Sequence, residues 1–255
     1  MTAGFDRRVW AAIAFACLIG TILGLPYGEM LIAHGPAARQ AGGPAGRLAL
    51  QLGLTVFATW PLAAAGLALG GRIGLGAPLL SAWFQGEPVA MRARAALTPA
   101  ALLGFGLGAG LLAVFAVTRG PLEAHLLLPM PAPPPAWAGV LAAFSAGIQE
   151  ETLLRLFLMT ALAAGVARAV SLPAALWTAN VLSALVFGAL HFGNVFALGM
   201  HLDLAVAAYV LLLNGTVGLL CGWLYARHGI EAAMVAHTAC DLVLHGLGAT
   251  LGGGR

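Results

Sequence analysis

The chain has 255 residues, of which 61% are hydrophobic and only 8% are charged, whereas an ordinary soluble domain has roughly 25% charged residues. With a mean hydropathy of +0.94, this composition excludes an ordinary soluble enzyme and indicates a polytopic membrane protein. The formal charge of +3 comes from twelve arginines without any lysine. They lie mostly at the ends of apolar runs and do not cluster, so a nucleic-acid partner is not expected.

Apolar runs of about twenty residues predict seven transmembrane helices. In chain order, the expected spans are 10–32, 48–70, 96–117, 137–166, 173–195, 203–225 and 229–249. The first run is too long for the roughly 7–15-residue core of a signal peptide, so it is interpreted as a span. The predicted fold class is therefore all-α, a polytopic transmembrane helix bundle of about seven spans, with six to eight as the range.

Breakers rich in glycine and proline separate most of the spans, including Gly35-Pro36 and the proline run between 129 and 135. The longest connection, 71–94, contains Trp83 and Phe84 and predicts an amphipathic segment at the membrane interface. An inside N-terminus puts seven arginines inside and four outside, which favours that orientation. The inside set is Arg7, Arg8, Arg72, Arg92, Arg94, Arg168 and Arg227, and the outside set is Arg39, Arg47, Arg119 and Arg255.

Small residues recur at a four-residue spacing in the second and third spans, which predicts close helix packing within the monomer. These pairs are Gly66 with Gly70, Gly104 with Gly108, and Gly106 with Gly110. The three cysteines are widely separated in apolar sequence and include no C-x-x-C pair. They are interpreted as small buried residues, because this pattern fits neither a disulfide framework nor a thiolate zinc site.

Six ionisable side chains lie inside three of the predicted spans, where each costs at least about 2.5–3.5 kcal/mol. They are Glu150, Glu151, Arg155, His191, His237 and Asp241. Such groups persist in a bilayer when they face inward, pair with one another or perform chemistry. The sequence therefore predicts that the functional site is built from these three spans.

Helical spacing separates the two glutamates. Glu151 and Arg155 are four residues apart on one helical face and are predicted to form a structural ion pair. Glu150 is turned by about 100° and has no partner in its own helix. A carboxylate in this position needs a metal, a histidine or water from another helix, and this environment is typical of a general base.

The other two spans supply the histidines. His191 follows Phe187 by four residues, and Asn194 comes shortly after it. His237 and Asp241 share one helical face, a spacing that suits two metal ligands or two hydrogen-bonding groups. His245 continues this stripe near the end of the span and is interpreted as an interfacial histidine.

These motifs, E-E-x-x-x-R, F-x-x-x-H and H-x-x-x-N/D on successive spans, resemble those of the CPBP (ABI) family of intramembrane proteases, which includes the type II CAAX prenyl endopeptidases. The resemblance covers residues from about 137 to 250, including the run from Asn214-Gly215 to Gly229. It divides the chain into residues 1–130, helices without a recognisable motif, and residues 131–255, a CPBP-like catalytic core. It also implies a bundle of about eight helices around a conical cavity that opens toward one membrane face and the lipid.

By position, the resemblance makes Glu150, His191, His237 and Asp241 the catalytic residues, and Glu151, Arg155 and Asn194 are interpreted as polar support. Asp241 departs from the prenyl endopeptidases, which have Asn there, and an ionised Asp cannot donate a hydrogen bond to an oxyanion. Two mechanisms therefore remain open. In one, Glu150 and His191 activate a water and His237 stabilises the oxyanion; in the other, the metal ligands of a Zn²⁺ ion are His191, His237 and Asp241 or Glu150.

The leading hypothesis is an intramembrane endopeptidase in the cell (inner) membrane of a bacterium. Its expected partners are the lipid bilayer and a peptide or membrane-protein substrate, with a lipid-modified peptide as one version. The alternative is a non-catalytic, immunity-type binding protein of the same family, which would not need six groups so costly to insert. A proton-coupled transporter is disfavoured because the sequence lacks repeat symmetry.

Overall fold

The computed structural model describes residues 5–32, 43–123, 133–197 and 201–252, and within them the regular structure is helical. We number eight helices in chain order, and a short helical turn, Phe192–Ala197, follows the sixth. Their bounds are α1 (Arg7–Ile32), α2 (Gly43–Gly70), α3 (Pro78–Phe84), α4 (Ala90–Glu123), α5 (136–166), α6 (Leu172–Leu190), α7 (Leu204–His228) and α8 (230–252).

Six of the described helices are long and apolar enough to cross a membrane, namely α1, α2, α4, α6 with its following turn, α7 and α8. The seventh long helix, α5, carries Glu150, Glu151 and Arg155 in its middle. The prediction of an all-α polytopic bundle is confirmed. Most helices extend a few residues beyond the predicted spans, because an apolar run marks the membrane-embedded part and not the ends of a helix.

The connection 71–94 contains α3, whose seven residues are too few to cross a bilayer. Consequently α2 ends and α4 begins on the same membrane side. Several sequence features lie outside the described residues: the Gly35-Pro36 breaker, Pro129 and Pro131 of the proline run, the predicted boundary at 130, and two outside arginines, Arg39 and Arg255.

The helices α5 and α8 form the centre of the bundle. The helix α5 packs against α1 and α8, whereas α8 also packs against α4 and α7, and α7 pairs with α6. Helical spans satisfy their own backbone hydrogen bonds, so their arrangement is decided by how closely their surfaces approach.

Glycines allow α8 to approach α4 closely. A Cβ added at Gly104 would overlap the carbonyl oxygen of Ala236, and one added at Gly108 would press on that of Cys240. The second glycine pair of α4, offset by two residues, faces open space. The first pair is therefore a packing face within the monomer, as the sequence predicted, whereas the same prediction is wrong for Gly106 and Gly110.

The opposite side of α8 meets α5 in the same way. A Cβ at Gly139 would overlap the carbonyl oxygen of His245, and one at Gly147 would overlap the Thr238 hydroxyl. These two glycines bring the α5 and α8 backbones close enough for short side chains to bridge them.

Each central helix widens into a π-helical turn directly after a carboxylate residue, and Arg155 lies within the first of these turns. The turn Thr152–Met159 follows Glu151, and the turn Leu242–Leu247 follows Asp241. Turns of this kind are rare and are found frequently at functional sites.

Substitution of Gly104 by Ala should destabilise the bundle by about 1–3 kcal/mol, because the added methyl group overlaps the α8 backbone. The matched control is Gly106→Ala in the same helix, whose Cβ meets nothing within 4 Å. Thermal unfolding in detergent should show a lower midpoint for the first variant and an unchanged or higher one for the second. Equal unfolding midpoints for the two variants would contradict the close packing of α4 against α8.

Candidate active site

A fully buried ion pair lies in the middle of α5. The Arg155 Nη1 and Glu151 Oε1 atoms are 3.1 Å apart, and neither side chain is exposed to solvent. This is the pair that the four-residue spacing predicted. Because an unpaired arginine is costly in an apolar interior, Glu151 compensates for the buried charge of Arg155.

The same carboxylate also binds a residue of α8. His237 Nδ1 lies 2.7 Å from Glu151 Oε1, and since an ionised carboxylate only accepts hydrogen bonds, the imidazole is the donor. Sequence reasoning missed this bond, because spacing reveals only partners within one helix. The bond fixes the ring orientation and leaves His237 Nε2 for other partners.

Two further carboxylates face that free nitrogen. His237 Nε2 lies 3.5 Å from Asp241 Oδ2 and 3.9 Å from Glu150 Oε2. The Glu150 side chain is 35% exposed, yet its Oε2 atom is buried and has no hydrogen-bond partner among the described residues. Six other buried polar atoms of the described residues also lack a hydrogen-bond partner, including Glu151 Oε2 and Glu231 Oε2. What distinguishes Glu150 is its position beside His237 Nε2 on a partly exposed side chain.

His191 occupies the end of α6 and is oriented in a similar way. Its Nδ1 lies 2.9 Å from the Phe187 carbonyl oxygen, which accepts the hydrogen bond and leaves Nε2 available. Glu150 and Asp241 face His237 Nε2, and the Phe187 ring lies against both His191 and His237. The structure therefore brings the four predicted catalytic residues into one neighbourhood, while their catalytic roles stay predictions.

The Phe187 ring is the shared wall of this neighbourhood. Its centroid lies 4.8 Å from that of His191 and 5.6 Å from that of His237, both edge-on. The Arg155 guanidinium carbon lies 4.7 Å from the same centroid, a distance typical of a cation–π contact. The sequence motif contained Phe187, but helical spacing did not show that one ring touches three charged or ionisable groups.

Asn194 and His245 lie at the margins. Asn194 is exposed, and the contact seen in the described structure is its backbone N–H donating to the His191 carbonyl. His245 Nδ1 lies 3.0 Å from the Tyr27 hydroxyl of α1. In the described part of the chain, no side-chain contact of Asn194 supports the role predicted for it.

Metal donors occur in two arrangements around His237. Within the described residues, Glu151, Cys221 and His237 form a group whose ligand atoms lie within 4.8 Å of one another. However, Glu151 already binds Arg155 and His237 Nδ1, and a cation there would displace or repel the arginine. We therefore interpret Glu151, Cys221 and His237 as a structural polar contact between helices and not as a metal site.

The predicted zinc ligands are less tightly grouped. His237 Nε2 lies within 4 Å of Asp241 Oδ2 and of Glu150 Oε2, but no three of the four predicted ligands form a compact donor group of this kind among the described residues. Each histidine donates Nδ1–H to an oxygen and keeps Nε2 free, which is the usual orientation of a metal-bound imidazole. The unpartnered Glu150 oxygen and Asp241 add the hard oxygen donors that Zn²⁺ accepts. The residues present are thus compatible with zinc, although they do not require it.

Comparison with known proteins gives one match. Residues 132–243 match the family model described as "Type II CAAX prenyl endopeptidase Rce1-like". Neither a curated protein nor a solved structure matches the chain. The matched segment runs from the proline-rich connection before α5 to the π turn of α8. It contains the residues of the cluster around His237, namely Glu150, Glu151, Arg155, Phe187, His191, His237 and Asp241.

Substitution of Glu151 by Gln should reduce stability by about 3–5 kcal/mol, because it leaves Arg155 buried without a compensating charge. The neighbouring Glu150→Gln makes the same chemical change at a partly exposed side chain and should leave stability nearly unchanged. Thermal unfolding of both variants in one detergent measures the contrast. A similar loss in both would show that the buried pair has no special role.

Proposed function

We propose that this chain, which carries an Rce1-like domain of the CAAX/CPBP family at residues 132–243, is an intramembrane endopeptidase. Residues 131–255 would supply the reacting groups, and the helices before them would complete the bundle. The membrane-spanning architecture and the protease family both support a peptide substrate met within the bilayer. A lipid-modified peptide and the inner membrane of a bacterium belong to this proposal.

One observation carries the proposal. The buried Glu150 Oε2 atom has no partner and lies beside His237 Nε2, whose ring is held from behind by the Glu151–Arg155 pair. A partly exposed carboxylate beside an oriented imidazole is the arrangement that general-base catalysis requires. A water or substrate group at this point would satisfy both atoms.

In the proposed reaction, Glu150 is the general base. It takes a proton from a water held between its carboxylate and His191, and the water oxygen bonds to the carbonyl carbon of the scissile peptide. The tetrahedral intermediate then breaks its C–N bond, and Glu150 returns the proton to the departing amine. The partial exposure of Glu150 supports access of water and substrate from the cluster's open side.

His237 has two possible tasks, which the same geometry supports. As an imidazolium it would donate Nε2–H to the oxyanion, an interaction worth up to roughly 2.7–4 kcal/mol. With zinc present, His237, His191 and Asp241 or Glu150 would hold the ion. A bound Zn²⁺ supplies a water of pKa near 7 and polarises the carbonyl.

Substitution of Glu150 by Gln should abolish peptide cleavage while thermal stability stays close to that of the wild type, because the amide keeps the shape but cannot accept the proton. Cleavage of a peptide library by the purified protein in detergent measures this. The control Glu87→Gln alters an exposed glutamate far from the cluster in sequence and should retain activity. Wild-type turnover in Glu150→Gln would show that another group is the base.

The binding-protein alternative predicts a different outcome for the same sample. A non-catalytic protein would cleave no member of the library, yet it would retain a peptide equally well with Glu150 or Gln at this position. Elemental analysis of that purified sample reports at the same time whether zinc is bound.

Substitution of Asp241 by Asn separates the two tasks of His237. If zinc is used, the variant should lose metal and activity together and recover partly when zinc is added, because an amide is a poorer ligand than a carboxylate. Without zinc, the variant should match or exceed the wild-type rate, since Asn can donate to the oxyanion. Full activity of a metal-depleted wild type, with the Asn variant at or above it, would exclude the zinc mechanism.

A further inference from the structure

The short helix α3 is bonded to the beginning of the helix that carries His237 and Asp241. No side chain at the start of α3 caps this helix. Glu231 of α8 caps it instead, because Glu231 Oε1 accepts a 2.9 Å hydrogen bond from the Leu80 N–H. The Ile230 N–H also donates to the Gly76 carbonyl at 2.9 Å. Because Glu231 accepts the Leu80 N–H, this end of α3 is not an anion site.

The other end of α3 is bonded to the beginning of α1. Arg8 Nη1 donates to the Phe84 carbonyl oxygen at 2.9 Å, and its guanidinium carbon lies 5.5 Å from the Phe84 ring centroid. The helix therefore bridges the first turns of α1 and α8. Since α3 lies between the end of α2 and the start of α4, it lies on the membrane side that carries most of the arginines.

The outer surface of this bridge combines an aromatic side chain with unneutralised positive charge. Trp83 is 60% exposed. Three exposed arginines near α3 have no acidic partner among the described residues. Arg72 and Arg94 flank α3 in the chain, and Arg7 precedes Arg8, which binds the end of α3. The three acidic residues nearby already have partners: Asp6 pairs with Arg8, Glu87 pairs with Arg92, and Glu231 accepts the Leu80 N–H.

We propose that α3, with Trp83 and these three arginines, forms a binding surface for the anionic phospholipid headgroups of the adjacent leaflet. Tryptophan prefers the headgroup level, where its apolar ring and its N–H are both satisfied. Each arginine near an anionic surface strengthens binding by about fivefold. The occupant is a lipid and not a soluble anion, because the spanning helices hold this surface at the bilayer boundary.

Headgroup binding has a structural consequence at the cluster. A lipid that holds α3 in place also stabilises its bonds to Ile230 and Glu231 in the first turn of α8. His237 follows Glu231 by six residues in the same helix. The proposed lipid-binding surface is therefore connected through α8 to the cluster that contains His237.

The test uses the full chain, purified and stripped of lipid in detergent, and requires no catalytic turnover. Binding of phosphatidylglycerol and of phosphatidylcholine is measured by native mass spectrometry, and amide hydrogen exchange is followed over residues 76–84. Phosphatidylglycerol should bind more tightly and should slow exchange in α3, including the Leu80 amide. Equal binding of the two lipids, or unchanged exchange in α3, would overturn the proposal.

Charge-matched variants locate the surface. Arg94→Gln should weaken phosphatidylglycerol binding about fivefold, and Arg72→Gln combined with Arg94→Gln should weaken it roughly 25-fold. Arg119→Gln removes the same charge on the opposite membrane side and should leave lipid protection of α3 unchanged. Equal loss in the Arg119 variant would show a general charge effect, and equal protection by glycerol phosphate would show a soluble-anion site; either result contradicts the proposal.

The Arg72 and Arg94 variants are suitable because both side chains are exposed, whereas the side chain of the control residue Arg119 is half-buried. Without lipid, the thermal midpoints of the Arg72 and Arg94 variants should equal that of the wild type. A variant that unfolds in lipid-free detergent would show that the arginine is structural, and the surface assigned to lipid would then be wrong.

Discussion

The structure depends on one carboxylate that serves two partners in an apolar interior. Glu151 compensates for Arg155 within α5 and accepts a hydrogen bond from His237 of α8. Neither charged residue of the pair would be tolerated alone, because the unfavourable desolvation of a lone buried charge exceeds the stability that one helix contact provides. The contact that makes the arginine acceptable therefore also fixes the imidazole, so that stability and site geometry share the same atoms.

This arrangement requires a short distance between helix axes. Aspartate and glutamate side chains reach a neighbouring helix only when the backbones approach closely, and Gly139 and Gly147 allow that approach between α5 and α8. On the other side of α8, Gly104 and Gly108 allow α4 to pack equally closely. In the absence of a hydrophobic force between helices in lipid, such small-residue seams supply the packing that holds the cluster together.

The sequence predicted what is local, and it could not predict what depends on the relative position of helices. Hydropathy marked the spans, and the four-residue spacing marked the Glu151–Arg155 pair, because both are properties of a single helix. The bond from His237 to Glu151 depends on the packing depth of α8 against α5, which no spacing encodes. For the same reason Phe187 was noted only as part of a motif, and Cys221 was interpreted only as a small buried residue.

Charge balance links the neighbouring glutamates to the open question of mechanism. Among the described residues, three carboxylates, from Glu150, Glu151 and Asp241, lie close to His237, and Arg155 adds a permanent positive charge beside Glu151. A proton on His237 or a divalent cation would each reduce this excess, and these are the two mechanisms considered above. Asn in place of Asp241, as in the prenyl endopeptidases that the motifs resemble, would remove one negative charge and with it part of the electrostatic reason for a metal. The residue at position 241 therefore determines how much positive charge, from a proton or a cation, is needed to balance the carboxylates around His237.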